Sequence, residues 1–435
     1  MYRATPAGEA AVRGASLFSD ELLRQLIAVG QVDVIAGLPT HDNAATVGEV
    51  VRAVRAAFVE WFPRERTVLV ALDGGSTDGT AERLHQAAAE GPGTLATSHG
   101  LRTTHQVNAP YHGVPGKGTA LRVLFAAADL LRARAVVVVA PDLTSLTPAW
   151  IAGLVRPVLS GEHAFVSPIF ARHPLDAPLV SQLVRPLMRA AYGMDLHEPL
   201  ASEFACSPAF TAHCLAQPVW ETELARSGVD LWLTATALAH GFGVGEVGLG
   251  PRTQASSHAR LPLAELFGQV VGALFTCLDL HVQAWRHPRA VTPAPAVTQL
   301  DDAPAPPAAE TGGLVEAFRR DVVAIRPVLG QLMTTDTLSQ VLEIAATGGG
   351  AFRYPDDLWA ATVCEFAASH HRAVIHRQHV AQALVPLYLG RLASFLAEYT
   401  GRPASVVRGG LEALCRQFER AVPLVAARWD RDEPR

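Results

Sequence analysis

The stretch that decides the fold is Val136 to Trp150, with the sequence VVVVAPDLTSLTPAW. Its run of consecutive valines predicts a strand buried on both faces, which is typical of a mostly parallel α/β sheet. Pro141 removes a backbone donor, so we expect the strand to end at Asp142. Ligands of open α/β sheets bind beyond the carboxyl ends of the strands, where a carboxylate can reach a metal ion or a polar ligand. The alternative is structural: Asp142 could satisfy the donors of a turn or of the helix predicted to begin at Pro148.

Length and composition indicate two domains and argue against nucleic acid as a partner. The chain has 435 residues, of which 49% are hydrophobic and 18% charged, so it can bury more core than one domain usually holds. The formal charge is -5 at pH 7, and the sequence has no long basic run. This pattern excludes a basic nucleic-acid groove and an electrostatic membrane-binding surface as functions.

The cysteines and the apolar segments favour a cytoplasmic location. The five cysteines are scattered and form no Cys-x-x-Cys pair, so neither a disulfide framework nor a zinc site is predicted. The N-terminus has acidic residues and no apolar core of signal-peptide length. The most apolar later segment, Leu263 to Trp285, is interrupted by Glu265, Gln269 and Asp279, so no transmembrane helix is expected.

Two βα units open the predicted sheet. The strand Val32 to Leu38 runs into Pro39 and Thr40, and the backbone N–H groups of the helix that follows favour phosphate or nucleotide atoms. The strand Thr67 to Leu72 runs into DGGSTDGT, which begins at Asp73. The glycines permit a close backbone approach, and the Ser, Thr and Asp side chains can cap the next helix. A well-formed turn explains each of these residues except Asp73.

A third candidate contact is the Gly-Lys-Gly sequence around Lys117, which opens a helix with a clear apolar face. A cation beside unpaired backbone donors can contact a phosphate or a nucleotide. The spacing of a Walker loop is absent, so a P-loop nucleotidase is not predicted. Between the second and third units, Leu95 to His112 shows no clear element.

These motifs together resemble a known family. The segment DGGSTDGT after a strand resembles the strand-DDGSTDGT signature of family-2-like glycosyltransferases with a GT-A fold, a Rossmann-like nucleotide-sugar domain with a mostly parallel sheet. VPGKGTAL and APDLTSLTPAWI are similar to segments of the retaining mannosylglycerate and glucosyl-3-phosphoglycerate synthases. The loop EPLASE, at Glu198 to Glu203, resembles the QPLGGE-type loop between their donor and acceptor sites.

The resemblance implies a role for each candidate residue. On the donor side, Asp73 would contact the nucleobase, and Asp230 would lie at the sugar. Asp142, at the end of the DXD element, and His258 would hold a divalent cation, Mg²⁺ or Mn²⁺. On the acceptor side, Arg172 and Ser181 would bind a carboxylate. The predicted catalytic residues are Asp142 and Asp230, and the predicted donor-binding residues are Pro39, Thr40, Asp73, Lys117 and Asp142.

The sequence departs from this family at Ala140, which stands where the DXD element has its first acidic residue. Losing that carboxylate lowers the negative charge of the site and weakens a divalent-ion site. Two functions therefore follow as hypotheses. The first is a metal-dependent retaining glycosyltransferase that moves a hexose from a GDP-, UDP- or ADP-linked donor to a small carboxylate such as glycerate or 3-phosphoglycerate. The second is a catalytically degenerate protein that binds nucleotide-sugars or regulates another protein.

Beyond residue 260 the pattern becomes helical. We predict a GT-A domain over 1–260 and a helical C-terminal extension over 261–435, which could also form the contact of a homodimer. Within the extension, residues 291–310 are rich in proline and alanine without an apolar period. They predict an extended, flexible insertion.

Overall fold

The computed structural model describes residues 17–89, 105–110, 116–255, 262–286, 290–296, 303–304, 306, 310–347, 352–426 and 429. The first half alternates strands and helices, as the sequence predicts. Its helices are α1 (Asp20–Val29), α2 (Val47–Trp61), α3 (Thr80–Ala89), α4 (Lys117–Leu130), α5 (Pro148–Leu159), α6 (Arg185–Tyr192), α7 (Pro208–Leu215), α8 (Glu223–Ser227) and α9 (Val229–Ala239). Its strands are β1 (Val34–Thr40), β2 (Thr67–Asp73), β3 (His105–Pro110), β4 (Ala135–Val138), β5 (Phe165–Phe170), β6 (Met194–Asp195), β7 (Phe204–Cys206) and β8 (Val244–Gly250).

Seven of these strands form one sheet in the order β3-β2-β1-β4-β7-β5-β8. Strands β3, β2, β1 and β4 pair in parallel, and β5 pairs in parallel with β8. Strand β7 runs antiparallel to both of its neighbours, β4 and β5. The predicted α/β class with a mostly parallel sheet is therefore confirmed. Because the parallel strands end at one edge, the loops that follow them gather there.

The sheet is covered on both faces, which explains why its strands are apolar without alternation. Helices α2 and α5 pack on one face, against strand residues such as Val137 and Ala205. Helix α4 packs on the other face, where Leu124 lies so close to Gly37 that a Cβ there would be 2.0 Å from its Cδ2. This close approach requires glycine at position 37.

Two boundaries differ from the sequence prediction. Strand β4 ends at Val138 rather than at Asp142, although the N–H of Val139 still donates to the carbonyl of Gly37. Strand β3 lies within the stretch 95–112 that showed no element. It is at the edge of the sheet and has partly buried polar side chains such as Gln106, so its sequence lacks the apolar run of the central strands.

The second half is helical, as predicted, and it shares a continuous core with one face of the sheet. All five cysteines are buried and free. The domain boundary near residue 260 stays a prediction. Helices beyond it pack against α6 and α9, which lie before it. These helices are α10 (Leu263–Leu280), α11 (Val282–Trp285), α12 (Gly312–Ala324), α13 (Arg326–Leu332), α14 (Thr335–Ala346), α15 (Asp356–His371), α16 (Arg377–Ala383), α17 (Val385–Tyr399) and α18 (Ala404–Ala426).

The predicted flexible insertion at 291–310 stays a prediction, although its first residues form backbone hydrogen bonds. Strand β9 (Thr292–Pro293) pairs with β6, and the N–H of Glu246 donates to the carbonyl of Pro295 at 2.8 Å. Ala294 is buried. The segment is held by backbone hydrogen bonds, for which no apolar period is needed. Residues 297–302, 305 and 307–309 lie outside the described part of the chain.

Two stretches of the described helices are long and apolar enough to cross a membrane by length and composition alone. They are Leu263–Leu280 and Arg377–Tyr399, of which 39% and 67% are buried inside the protein. Core helices meet the same test. The predicted absence of a transmembrane segment stays a prediction.

Three imidazoles lie close together near the ends of α7, α9 and α10, and one of them, His281, is buried. The rings of His213 and His240 are 4.3 Å apart between centroids, and those of His240 and His281 are 5.7 Å apart. Burial, together with the neighbouring His240 and His213, lowers the pKa of His281 from 6.5 to about 4. The neutral ring can accept a hydrogen bond from the Tyr192 hydroxyl, whose oxygen is 3.2 Å from Nδ1.

We expect acid to destabilise the protein through this ring. Because the pKa of His281 is lower in the folded state, its contribution is complete above pH 6.5 and is lost as the pH falls towards 4. The loss in free energy of unfolding should be about 3 kcal/mol over that range. Urea unfolding at several pH values measures it. His281→Gln should flatten the pH dependence, whereas the exposed His379→Gln should leave it unchanged; equal slopes in all three proteins would contradict the assignment.

Candidate active site at the carboxyl edge of the sheet

The turn after β2 is built around the carboxylate of Asp73. It accepts hydrogen bonds from the N–H groups of Gly75 and Ser76, from the Ser76 hydroxyl and from the Thr40 hydroxyl. The turn therefore explains Asp73 as well, contrary to the expectation from sequence. Thr40 is buried at the end of β1 with Pro39 before it. The predicted donor residues Pro39, Thr40 and Asp73 thus lie together, while their binding role stays a prediction.

The first turn of α4 brings two predicted site residues into contact. The Nζ of Lys117 is 2.6 Å from Oδ1 of Asp230, which lies in the first turn of α9. Ser202 joins them: its hydroxyl donates to Oδ2 of Asp230 at 3.2 Å, and its carbonyl accepts from Lys117 at 3.4 Å. Gly118 permits this packing, because a Cβ there would lie 2.2 Å from the carbonyl oxygen of Ala225.

Asp142 lies at the same edge and is half-buried. Both carboxylate oxygens accept from the Nε2 of Gln254 at 3.0 Å, and the Asp142 carbonyl accepts from the N–H of Ala255. Ala140 is buried and apolar, so it supplies no ligand. Across the described residues, no three His, Cys, Asp or Glu side chains gather as a metal cluster. The other predicted metal ligand, His258, lies outside the described residues.

Arg172 and Ser181, the predicted acceptor residues, line one cavity of about 790 Å³. The guanidinium of Arg172 is 5.6 Å from the centroid of the Phe170 ring, and its side chain is 30% exposed. The Oγ of Ser181 is buried without a hydrogen-bond partner. The Arg172 guanidinium in this cavity wall is a suitable partner for a carboxylate, and the buried Ser181 hydroxyl beside the cavity has an unused donor.

The loop EPLASE connects the two groups of candidate residues. At its start, Oε1 of Glu198 is 2.9 Å from Nε of Arg172 in the cavity. Near its end, Ser202 contacts the predicted donor residue Asp230. The last residue, Glu203, is buried and accepts two hydrogen bonds from Arg252. The loop thus lies between the predicted donor and acceptor residues, as the resemblance implied.

The sequence prediction missed several residues of this cavity. Glu198 was given no role of its own. An acid that follows a candidate carboxylate-binding arginine such as Arg172 is a possible ion-pair partner, and this signal could have been used. Helix α18 follows Arg172 by more than 200 positions in the sequence, so nothing local connects the two. This helix contributes Arg408, Gly409, Leu411, Glu412 and Cys415 to the cavity wall.

Comparison with known proteins finds no matching family model. Among curated proteins, glucosyl-3-phosphoglycerate synthase of Mycolicibacterium paratuberculosis is 29% identical over 252 residues, which are 53% of this chain and 66% of that protein. This chain is similar to a glucosyl-3-phosphoglycerate synthase. The match spans slightly less than two thirds of the length of that relative.

Solved structures give the same resemblance at lower identity. Glucosyl-3-phosphoglycerate synthase of Mycobacterium tuberculosis in complex with Mg²⁺ and uridine diphosphate has a TM-score of 0.43 and 22% identity, over 60% of this chain and 83% of that chain. The same enzyme with Mn²⁺, UDP-glucose and phosphoglyceric acid has a TM-score of 0.42 and 22% identity, over 59% and 82%. A further mycobacterial protein has a TM-score of 0.44 and 24% identity, over 60% and 78%. The predicted mostly parallel α/β sheet and the predicted helical C-terminal region are confirmed by the strand order and the helices.

Proposed function

We propose that this protein transfers a hexose from a nucleotide-sugar to a small carboxylate acceptor, such as glycerate or 3-phosphoglycerate, with retention of configuration. The observation that carries the proposal is that Arg172 and Ser181 line one cavity, which a single loop connects to the Lys117–Asp230 pair. The related synthase is named for an acceptor of this class. A GDP-, UDP- or ADP-hexose is the proposed donor.

Each group of residues has a proposed task. Asp73, Thr40 and Pro39 would hold the nucleobase end of the donor, and Lys117 its phosphates. Asp230 would orient the sugar, with Lys117 and Ser202 fixing its carboxylate. Arg172 and Ser181 would orient the acceptor so that its hydroxyl attacks from the face that the nucleotide leaves. No glycosidase-like carboxylate pair is needed for this route.

A divalent cation, Mg²⁺ or Mn²⁺, is part of the proposal. Asp142 suits such an ion, because its carboxylate is only half-buried and is held by a neutral amide rather than by a cation. Asp142, His258 and the oxygens of the donor diphosphate would form the ligand set. When bound, the ion would neutralise the charge of the leaving nucleotide.

We expect Asp142→Ala and His258→Ala each to weaken metal-dependent donor binding by about 10-fold or more, because the site already lacks one acid at Ala140. Calorimetry with UDP- and GDP-sugars, with and without Mn²⁺, measures the effect, and circular dichroism checks the fold. Glu82→Ala, which removes an exposed carboxylate from α3, is the control. Unchanged Mn²⁺ dependence in both site variants would remove the proposed metal site.

A catalytically degenerate binding or regulatory protein remains the second candidate, and buried Ala140 is the observation that favours it. One experiment separates the two functions. Purified protein is incubated with UDP-, GDP- and ADP-hexoses crossed with glycerate and 3-phosphoglycerate, and products are detected by mass spectrometry. A hexosylated acid supports the transferase. Donor binding without any product in all combinations supports the second candidate.

A further inference from the structure

The arginine proposed to bind the acceptor is already paired with a buried acid. Glu198 is 6% exposed, and its Oε1 is 2.9 Å from Nε of Arg172. Its carbonyl also accepts from the Ser167 hydroxyl, which fixes the backbone at this point. The pair lies in the wall of the cavity that also contains Ser181. A carboxylate that enters this cavity therefore finds the Arg172 guanidinium already paired with Glu198.

The surroundings of Glu198 disfavour a second carboxylate beside it. Burial raises the pKa of Glu198 from 4.5 to about 7, against the opposing effect of Arg172. His197 and Arg252 also favour its ionised form, whereas Glu246 disfavours it. His197 is itself engaged with Glu246, since its Nδ1 is 2.9 Å from Oε2.

The other charged or titratable groups of the cavity wall are His173, Asp176, Arg185, Arg408, Glu412 and Cys415. Arg185 is bound by both carboxylate oxygens of Asp195 at 2.7 and 2.8 Å. It therefore does not replace Arg172 as the partner of Glu198. A second carboxylate at Arg172 would face Glu198 in a poorly solvated site, where like charges repel strongly.

We propose that Glu198 competes with the acceptor's carboxylate for Arg172, and that the acceptor binds with uptake of one proton by Glu198. The proton comes from solvent and converts the Glu198 carboxylate into a neutral acid. The guanidinium of Arg172 then pairs with the carboxylate of the ligand. This inference rests on the proposed acceptor site. It makes Glu198 a specificity-determining residue, because a ligand without a carboxylate has no reason to separate the pair.

A pH dependence of binding follows. Below pH 7 Glu198 is largely neutral in the free protein and Arg172 is available; above pH 7 the ligand must also drive the protonation. The Kd of D-glycerate, which stays ionised over this range, should rise roughly 10-fold from pH 6 to pH 8. Glu198→Gln has the same shape without the titrating proton, so its Kd should be nearly constant.

The experiment uses the full chain without donor and D-glycerate as the probe. Calorimetry at pH 6, 7 and 8, in two buffers that differ in ionisation enthalpy, gives the Kd and the number of protons taken up. Infrared difference spectra give a second readout, a carboxylic-acid band that appears with D-glycerate. The control is Asp176→Asn, a carboxylate of the same wall that accepts from the N–H of His173.

We expect proton uptake, the acid band and the pH dependence in the wild type and in Asp176→Asn, and their loss in Glu198→Gln. Equal pH dependence in the wild type and in Glu198→Gln, or no proton uptake by the wild type, would overturn the inference. Failure of D-glycerate to bind at any pH would overturn it together with the acceptor site. Because the assay needs no turnover, a protein that binds D-glycerate in this way but makes no product would refute only the proposed transfer.

Discussion

Arg172→Lys is expected to lower kcat/KM for glycerate by about 30- to 1000-fold, which corresponds to roughly 2 to 4 kcal/mol of transition-state stabilisation. Lysine keeps the charge but loses the planar fork, so the acceptor's carboxylate is held less firmly and less well oriented. Steady-state kinetics with varied glycerate measures the effect, mainly in the acceptor KM.

Two comparisons make this expectation specific to the carboxylate. Ser181→Ala should cost less, on the order of 1 kcal/mol, because a neutral hydroxyl is a weaker partner that water can replace. An uncharged polyol such as glycerol should be insensitive to Arg172→Lys, and donor affinity should change little. Equal losses with glycerate and glycerol would mean that Arg172 holds the loop at Glu198 rather than the substrate.

The fold could be predicted from sequence largely because its signals are local. The valine run from Val136 and the glycine-rich turn after β2 each contain the residues that form them. Even in the glycine-rich turn, the sequence did not show which groups bind the carboxylate of Asp73. Asp73 looked unexplained by its turn, yet its carboxylate accepts four hydrogen bonds, three of them from Gly75 and Ser76 and one from Thr40.

The pairing of charges could not be predicted, because it is decided by packing over long sequence distances. Lys117 and Asp230 were both identified as site residues, but nothing in the sequence shows that they meet across 113 positions. Nor could the sequence tell which acid would face Arg172. The choice of Glu198 depends on how the loop before β7 lies over the end of β5.

The contacts of the segment after Ala290 could not be predicted for a different reason. A search for apolar periods finds segments that pack through side chains. Here the carbonyl of Pro295 and the backbone of β9 form hydrogen bonds with Glu246 and β6, which need no such period. Proline lacks a donor, but its carbonyl is a full acceptor.

Arg189→Met is expected to lower the free energy of unfolding by about 2 to 3 kcal/mol, because it removes a buried cation that three partly buried acids share. Arg189 is 8% exposed and connects α6 to α18. Its guanidinium binds both oxygens of Glu412 at 2.6 and 2.7 Å, Glu419 at 2.7 Å and Asp195 at 3.1 Å. Guanidinium chloride unfolding measures the loss, provided that the variant and the wild type have the same m-value.

The same helix supplies a matched control. Arg416 is 61% exposed and lies 3.7 Å from Glu412 on α18 itself, so Arg416→Met should cost less than about 0.5 kcal/mol. Because Glu412 also lines the cavity proposed to bind the acceptor, Arg189→Met should raise the KM for glycerate as well, whereas Arg416→Met should not. Equally small losses in free energy of unfolding for both variants would mean that Arg189 does not stabilise the contact between α6 and α18. Apolar packing alone would then hold the cavity wall.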